Sequence, residues 1–422
     1  MTYQVRSLQK TKKALFAMHI LNEPFMVLFT MLHFVLRKDL GATAFQLALF
    51  ASLRPILAVL SFYWGSNLLR RREKLVTNLM SAFFLARISF LLLPFFSNVW
   101  FMIFAAGMYE LFNRAGTPAL IEILKVNIEK KTRESLFSAC FVVSFAESIL
   151  LGIGLGQLLD NNVGMWQTLM IGSTLLSLVS LLYQLRIPLP FAEPKIIEKI
   201  SFKKRIIDPW KRMLTLLRER PDFRHFQWGF MLGGFGLMLI APAKSIYFAD
   251  TLRLTHSDIV IARCIFMGIG VLGSTYFWRR GISEQSIPFL SCCMLLGFAS
   301  FPVILLLGSM NTIYVYIAFL MYGIAQAGSH LLWNLSGTFF AGQDDSSQYT
   351  GVNVLMVGVR GLVGPMTGAL LCDLFGPQIV LMLGMVFCVF GIAYTQWADM
   401  KMRTEKDSNL QPPGPKPGTL SN

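Results

Sequence analysis

The chain has 422 residues, of which 54% are hydrophobic and only 14% charged, and its mean hydropathy is +0.55. A soluble domain of this size carries about 25% charged residues, so the composition excludes a soluble fold and points to an integral membrane protein. A net charge of +15 would suit nucleic acid on a soluble chain; in a membrane protein its distribution between loops matters instead, and no nucleic-acid partner is expected.

A hydrocarbon core about 30 Å thick takes roughly 20 apolar residues per helix. Apolar segments run at 14–36, 44–64, 75–96, 100–124, 135–159 and 166–185, then, after a basic connection, at 226–248, 259–278, 286–307, 312–340, 349–374 and 378–397. These predict twelve spans, six on each side of the connection. The expected organisation is a first half over 1–187, a basic connection over 188–224, a second half over 225–400 and a disordered tail over 401–422. Within the connection, Ile206, Trp210, Met213, Leu214 and Leu217 recur at helical spacing among Lys and Arg, the pattern of an amphipathic helix on the membrane surface. The six cysteines lie in apolar runs without metal-ligand spacing, so neither a disulfide framework, nor a metal site, nor a cofactor is expected. No phosphate-binding, zinc-protease or serine-hydrolase motif occurs, and an enzyme is not expected.

Lys and Arg alternate between loops. Lys12 and Lys13, Arg70, Arg71, Arg72 and Lys74, Lys130, Lys131 and Arg133, the central connection, Arg279 and Arg280, and Lys401 all fall on one side; the opposite loops hold Arg37, Lys38 and Arg253. Basic loops stay in the cytoplasm, which predicts cytoplasmic termini and a multi-pass protein of the inner (plasma) membrane. A shift of 212 residues places Gly116, Gly152, Gly156, Gly164 and Gly172 on Gly328, Gly364, Gly368, Gly376 and Gly384. About one such coincidence would follow from glycine content alone, so the halves are read as parallel repeats.

With six plus six spans, parallel halves and a long basic central connection, the chain resembles the major facilitator superfamily of secondary transporters. The resemblance covers nearly the whole chain and implies an all-α fold of two six-helix repeats. The family's loop after the second span usually carries an aspartate four residues after a glycine; here Gly65 is followed by Leu69, and in the second half Gly273 by Phe277. The sequence from Gly361 to Gly368, with Pro365, is similar to the glycine-proline motif of the family's antiporters but stands on span 11 rather than span 5. The resemblance also implies that spans 1, 4, 7 and 10 line a central cavity, flanked by 2, 5, 8 and 11.

Ionisable groups inside a membrane are costly and mark function or fixed pairs. The first half holds Glu23, Arg54, Arg87, Glu110, Arg114 and Glu147; Glu110 and Arg114 stand four residues apart on one helix face. The second half holds Lys244, Arg263, His330 and Arg360 with no acid at that depth. Glu23, Arg54, Glu110, Arg114, Glu147, Arg263, His330 and Arg360 are the candidates for substrate binding or coupling, and Arg87 is read as structural. Asp344, Asp345, Arg70, Arg71 and Arg72 are the candidate gate residues, and the two acids are expected to pair with Lys130, Lys131 or Arg133 when the inner side closes. The reading is a permease working by alternating access on a small organic solute, anionic or zwitterionic, in the bilayer, with protons as coupling ion in symport and a monomer as the default in the absence of any sequence signal for oligomeric state. A transporter-like membrane receptor, or an accessory subunit that moves nothing, is the alternative.

Overall fold

The computed structural model describes residues 3–68, 74–162, 164–189, 202–341 and 346–410. Twelve long helices stand where the twelve spans were expected and keep their numbers. Span 1 is Tyr3–Lys38, span 2 Ala44–Leu68, span 3 Leu75–Ile88 with a tighter turn Ser89–Leu92, span 4 Val99–Asn127, span 5 Lys130–Asn161 and span 6 Met165–Val179 prolonged by Leu181–Gln184. Span 7 is Pro221–Ile246 prolonged by Tyr247–Thr251, span 8 His256–Glu284, span 9 Ile287–Leu306, span 10 Ile313–Ala341, span 11 Ser346–Phe375 and span 12 Pro377–Leu410. Among the described residues, ten helices are long and apolar enough to cross a membrane. The start of span 1, the end of span 12 and the connecting helix Phe202–Glu219 share one face, the terminal face; the loops after the odd-numbered spans form the distal face.

Local sequence sets the helix ends. Asn98 accepts from the Phe101 amide at 2.8 Å to start span 4, and Thr255 with Asp258 forms a reciprocal cap at the start of span 8. Span 12 corrects the expected disordered tail: no glycine or proline interrupts it after Trp397 until Pro412, so the helix continues to Leu410, with Arg403 on Asp399 at 2.8 Å. Residues 411–422 lie outside the described residues. The connecting helix, Phe202–Glu219, stands in the segment where an amphipathic helix was expected. Trp210, Met213 and Leu217 pack on Phe223, Tyr349, Val352 and Met356, so its apolar face docks on the second half while Leu214 stays exposed. Proline at the first turn starts span 7 at Pro221, inside the segment assigned to the connection.

The backbone supports the repeat independently of glycine counting. Among the described residues only Gly41, Gly164, Arg253 and Gly376 have left-handed backbone, and they pair at the same shift of 212, Gly41 with Arg253 and Gly164 with Gly376. Packing has nevertheless diverged. Gly152 and Gly156 of span 5 let Val260, Cys264 and Ser257 of span 8 approach, whereas their counterparts Gly364 and Gly368 receive Met238 and Leu239 of span 7. Gly172 faces open space, while Gly384 lies against Ile240 and the Gly236 carbonyl. Spans 5 and 8 join the two halves, as do spans 2 and 11, where Gly358 and Gly361 sit on Val59 and Pro55.

Candidate functional site

The distal face is sealed by bonds between the halves. Arg37 at the end of span 1 pairs with Asp250 at the end of span 7, its Nε donating to both carboxylate oxygens at 3.1 Å. Lys38 donates to the Leu254 carbonyl at 2.7 Å. His256 of the second half lies between two first-half carboxylates, Nε2 at 2.9 Å from Asp39 and Nδ1 at 3.1 Å from Asp160. Asp160 also accepts from the backbone amides of His256 and Ser257, at 2.8 and 3.0 Å. On the terminal side of mid-membrane, Arg54, Thr117 and His330 are exposed.

Beneath the seal lie two adjoining cavity lobes of about 430 and 420 Å³ that share Met26, Thr30, Tyr109, Asn113 and Arg263 in their linings. The first holds four cations, Arg54, Arg114, Lys244 and Arg263, and one acid, Glu110. Arg114 Nε stands 3.8 Å from Glu110, the pair expected from their spacing, yet among the described residues that nitrogen makes no hydrogen bond. The second lobe is lined by Glu23, His19, Asn22, Ser144 and Ser148, with Arg263 at the junction. Glu23 accepts from the Ser148 hydroxyl, and His19 Nδ1 lies 3.2 Å from Ser144 Oγ. Span 8 widens to a π turn over Ile261–Phe266, which carries Arg263. Such a turn adds a residue to the helical circuit and commonly marks functional positions.

The lobes thus gather Glu23, Arg54, Glu110, Arg114 and Arg263 from the sequence candidates. Glu147, His330 and Arg360 line neither of them. Arg360 instead crosses to span 7, where its Nη1 donates to the Phe230 carbonyl at 2.9 Å, its guanidinium lies 5.1 Å from the Phe230 ring and the missing Cβ of Gly234 makes room for it. His330 is exposed, its Nε2 2.9 Å from Gln326 one turn earlier. The proposed gate residues Asp344, Asp345, Arg70, Arg71 and Arg72 lie outside the described residues. Sequence reasoning passed over His19, His33, Ser144 and Ser148, which carried no signal beyond being polar in a span. It also missed the distal seal, for which the one available signal was the run Arg37-Lys38-Asp39 in a loop otherwise expected to be poor in charge.

Residues 16–365 match the family model described as Major Facilitator Superfamily. No curated protein sequence matches the chain. Several solved structures share the fold. The nucleoside transporter NupG has 13% identity and a TM-score of 0.66, with 92% of this chain and 98% of that one covered. A bacterial homolog of the human lysosomal transporter Spinster, in an inward-facing and unoccupied conformation, has 12% identity and a TM-score of 0.67, covering 94% and 98%. A POT family transporter in complex with a thioalcohol-conjugated peptide has 13% identity and a TM-score of 0.71, covering 95% and 96%. At such identities the likeness is one of fold, and it agrees with the family match over most of the sequence: the chain belongs to the Major Facilitator Superfamily.

Proposed function

We propose that the protein is a proton-coupled secondary transporter of a small organic anion or zwitterion, working by alternating access between the two halves. The observation that carries this reading is the charge of the first lobe, four cations against one acid. Lining cations without acid partners are costly, and a substrate carboxylate or phosphate would offset that cost. Glu23, in the second lobe whose lining also includes Arg263, is the acid placed to exchange a proton with the cavity, and Glu110 the second. The basic loops support a cytoplasmic terminal face in the inner membrane, so that the sealed distal face corresponds to an inward-facing carrier.

Uptake of organic anions by the purified chain in liposomes under a proton gradient tests the reading. Arg263→Gln should lower the rate at least about tenfold, as expected for loss of a charged contact worth more than about 1.4 kcal/mol, while Glu23→Gln should keep binding and lose its dependence on the gradient. A chain that moves no solute in either direction would instead be a receptor or an accessory subunit. Sidedness has its own test. In a cysteine-free background, Lys131→Cys and Lys204→Cys should be protected from impermeant thiol reagents in intact cells and Asn98→Cys should react; labelling of position 204 from outside would reverse the orientation.

A further inference from the structure

Toward the distal seal the first lobe continues into a recess of about 30 Å³, and the two share Thr30, His33, Lys244 and Arg263 in their linings. Ser245 completes the recess's polar wall, and among the described residues no carboxylate lines it. Its walls come from span 1 of the first half and spans 7 and 8 of the second, so an occupant would bridge the moving halves. The donors here are unusually unspent. Among the described residues Arg263 Nε and His33 Nδ1 are buried without a hydrogen-bond partner, and Lys244 Nζ lies 6.0 Å from each of the Phe301 and Tyr322 rings. An ammonium offers three donors and a guanidinium five, and neither accepts. The Thr30 hydroxyl already donates to the Val27 carbonyl at 2.9 Å, but with Ser245 the two cations still outnumber the roughly four acceptor sites of one carboxylate, and two facing cations call for two negative charges.

We propose that the mouth of this recess binds a compact oxyanion bearing two negative charges, of the phosphate monoester class. The organic remainder extends into the second lobe, where Glu23, Asn22 and Ser148 suit a polar, hydroxyl- or amine-bearing body. The substrate is then a phosphorylated small polar molecule. This assignment rests on the transporter reading above and narrows it: Lys244 and Arg263 hold the head group, and Arg54 and Arg114 give the lobe its field.

Thermal stabilisation of the purified full chain by inorganic phosphate, sulfate and acetate, at constant ionic strength, tests the assignment. Phosphate and sulfate should stabilise at concentrations where acetate does not. Raising the pH from about 5.5 to about 7.5 gives phosphate its second charge and leaves sulfate unchanged, so phosphate binding should strengthen severalfold relative to sulfate. Lys244→Gln and Arg263→Gln should each weaken phosphate binding about tenfold, with Arg280→Gln, on the surface, as the unaffected control. Should either variant fail to fold, the wild-type comparison of phosphate, sulfate and acetate decides alone. Equal stabilisation by acetate and phosphate, or wild-type phosphate binding in both variants, would overturn the double-charge assignment and leave an anion transporter standing. Absence of binding by any of the three, together with no uptake into liposomes, would remove the transporter reading as well.

Discussion

His256→Ala should unlatch the distal face and raise labelling of Cys264, from that side only, about 30-fold. His256 joins a second-half helix to two first-half carboxylates at once, and its ring is buried. Hydrogen bonds to charged groups contribute about 1.5–3 kcal/mol each. Asp160 would keep two backbone amides, so the net loss should be near 2 kcal/mol, which is a shift of about 30-fold between closed and open populations. Cys264 is a suitable reporter because it lies directly under the seal, packed on Gly152 and lining the second lobe. The check is the rate of modification by an impermeant thiol reagent confined to the distal side, in a chain keeping only that cysteine. An unchanged rate would mean that Arg37 with Asp250 and the packing of spans 5 and 8 hold the seal without the imidazole.

The largest loss of stability is expected at a residue that never meets the substrate. Arg87→Leu should lower the stability of the folded bundle by about 2–4 kcal/mol, the cost of leaving the buried Asn22 and Ser177 oxygens without their charged donor. Arg87 is fully buried in span 3. Its Nε donates to Ser177 Oγ at 2.7 Å, Nη1 to the Phe83 carbonyl at 3.1 Å and Nη2 to Asn22 Oδ1 at 2.6 Å. Ser177 also donates to Asn22 at 2.8 Å, so spans 1, 3 and 6 meet in one polar knot, with the guanidinium 3.3 Å from the Phe83 ring centroid. Leucine would fill much of the volume and leave Asn22 and Ser177 without their central donor. Thermal unfolding of the variant in detergent, with Asn22→Leu beside it, would show the two effects to be strongly non-additive. Equal midpoints in wild type and Arg87→Leu would disprove the structural role.

That role was legible in the sequence because span 3 stands outside the helices expected to line the cavity, and a lone charge there has no business with solute. Other assignments were legible only in part. Glu110 with Arg114 follows from a spacing of four on one helix, whereas Arg360, equally bare in the sequence, points into the packing between spans 7 and 11. Nothing in its neighbours along the chain distinguishes that from a cavity position; Gly234, which makes the room, is 126 residues away.

Composition and spacing by themselves determined the class, the twelve spans, the two parallel halves and the inventory of charges inside the membrane. They do so because transfer into hydrocarbon is a sum over consecutive residues, and a helix must satisfy its own backbone wherever lipid surrounds it. Tertiary structure alone decided which charges share a space. Arg37 meets Asp250 and His256 meets Asp39 across 213 and 217 residues, and the turn of span 8 sets Arg263 between the two lobes. A helix's rotation about its axis follows from packing against its neighbours, at glycines such as Gly152 and Gly361, and that contact has no local signature in the chain.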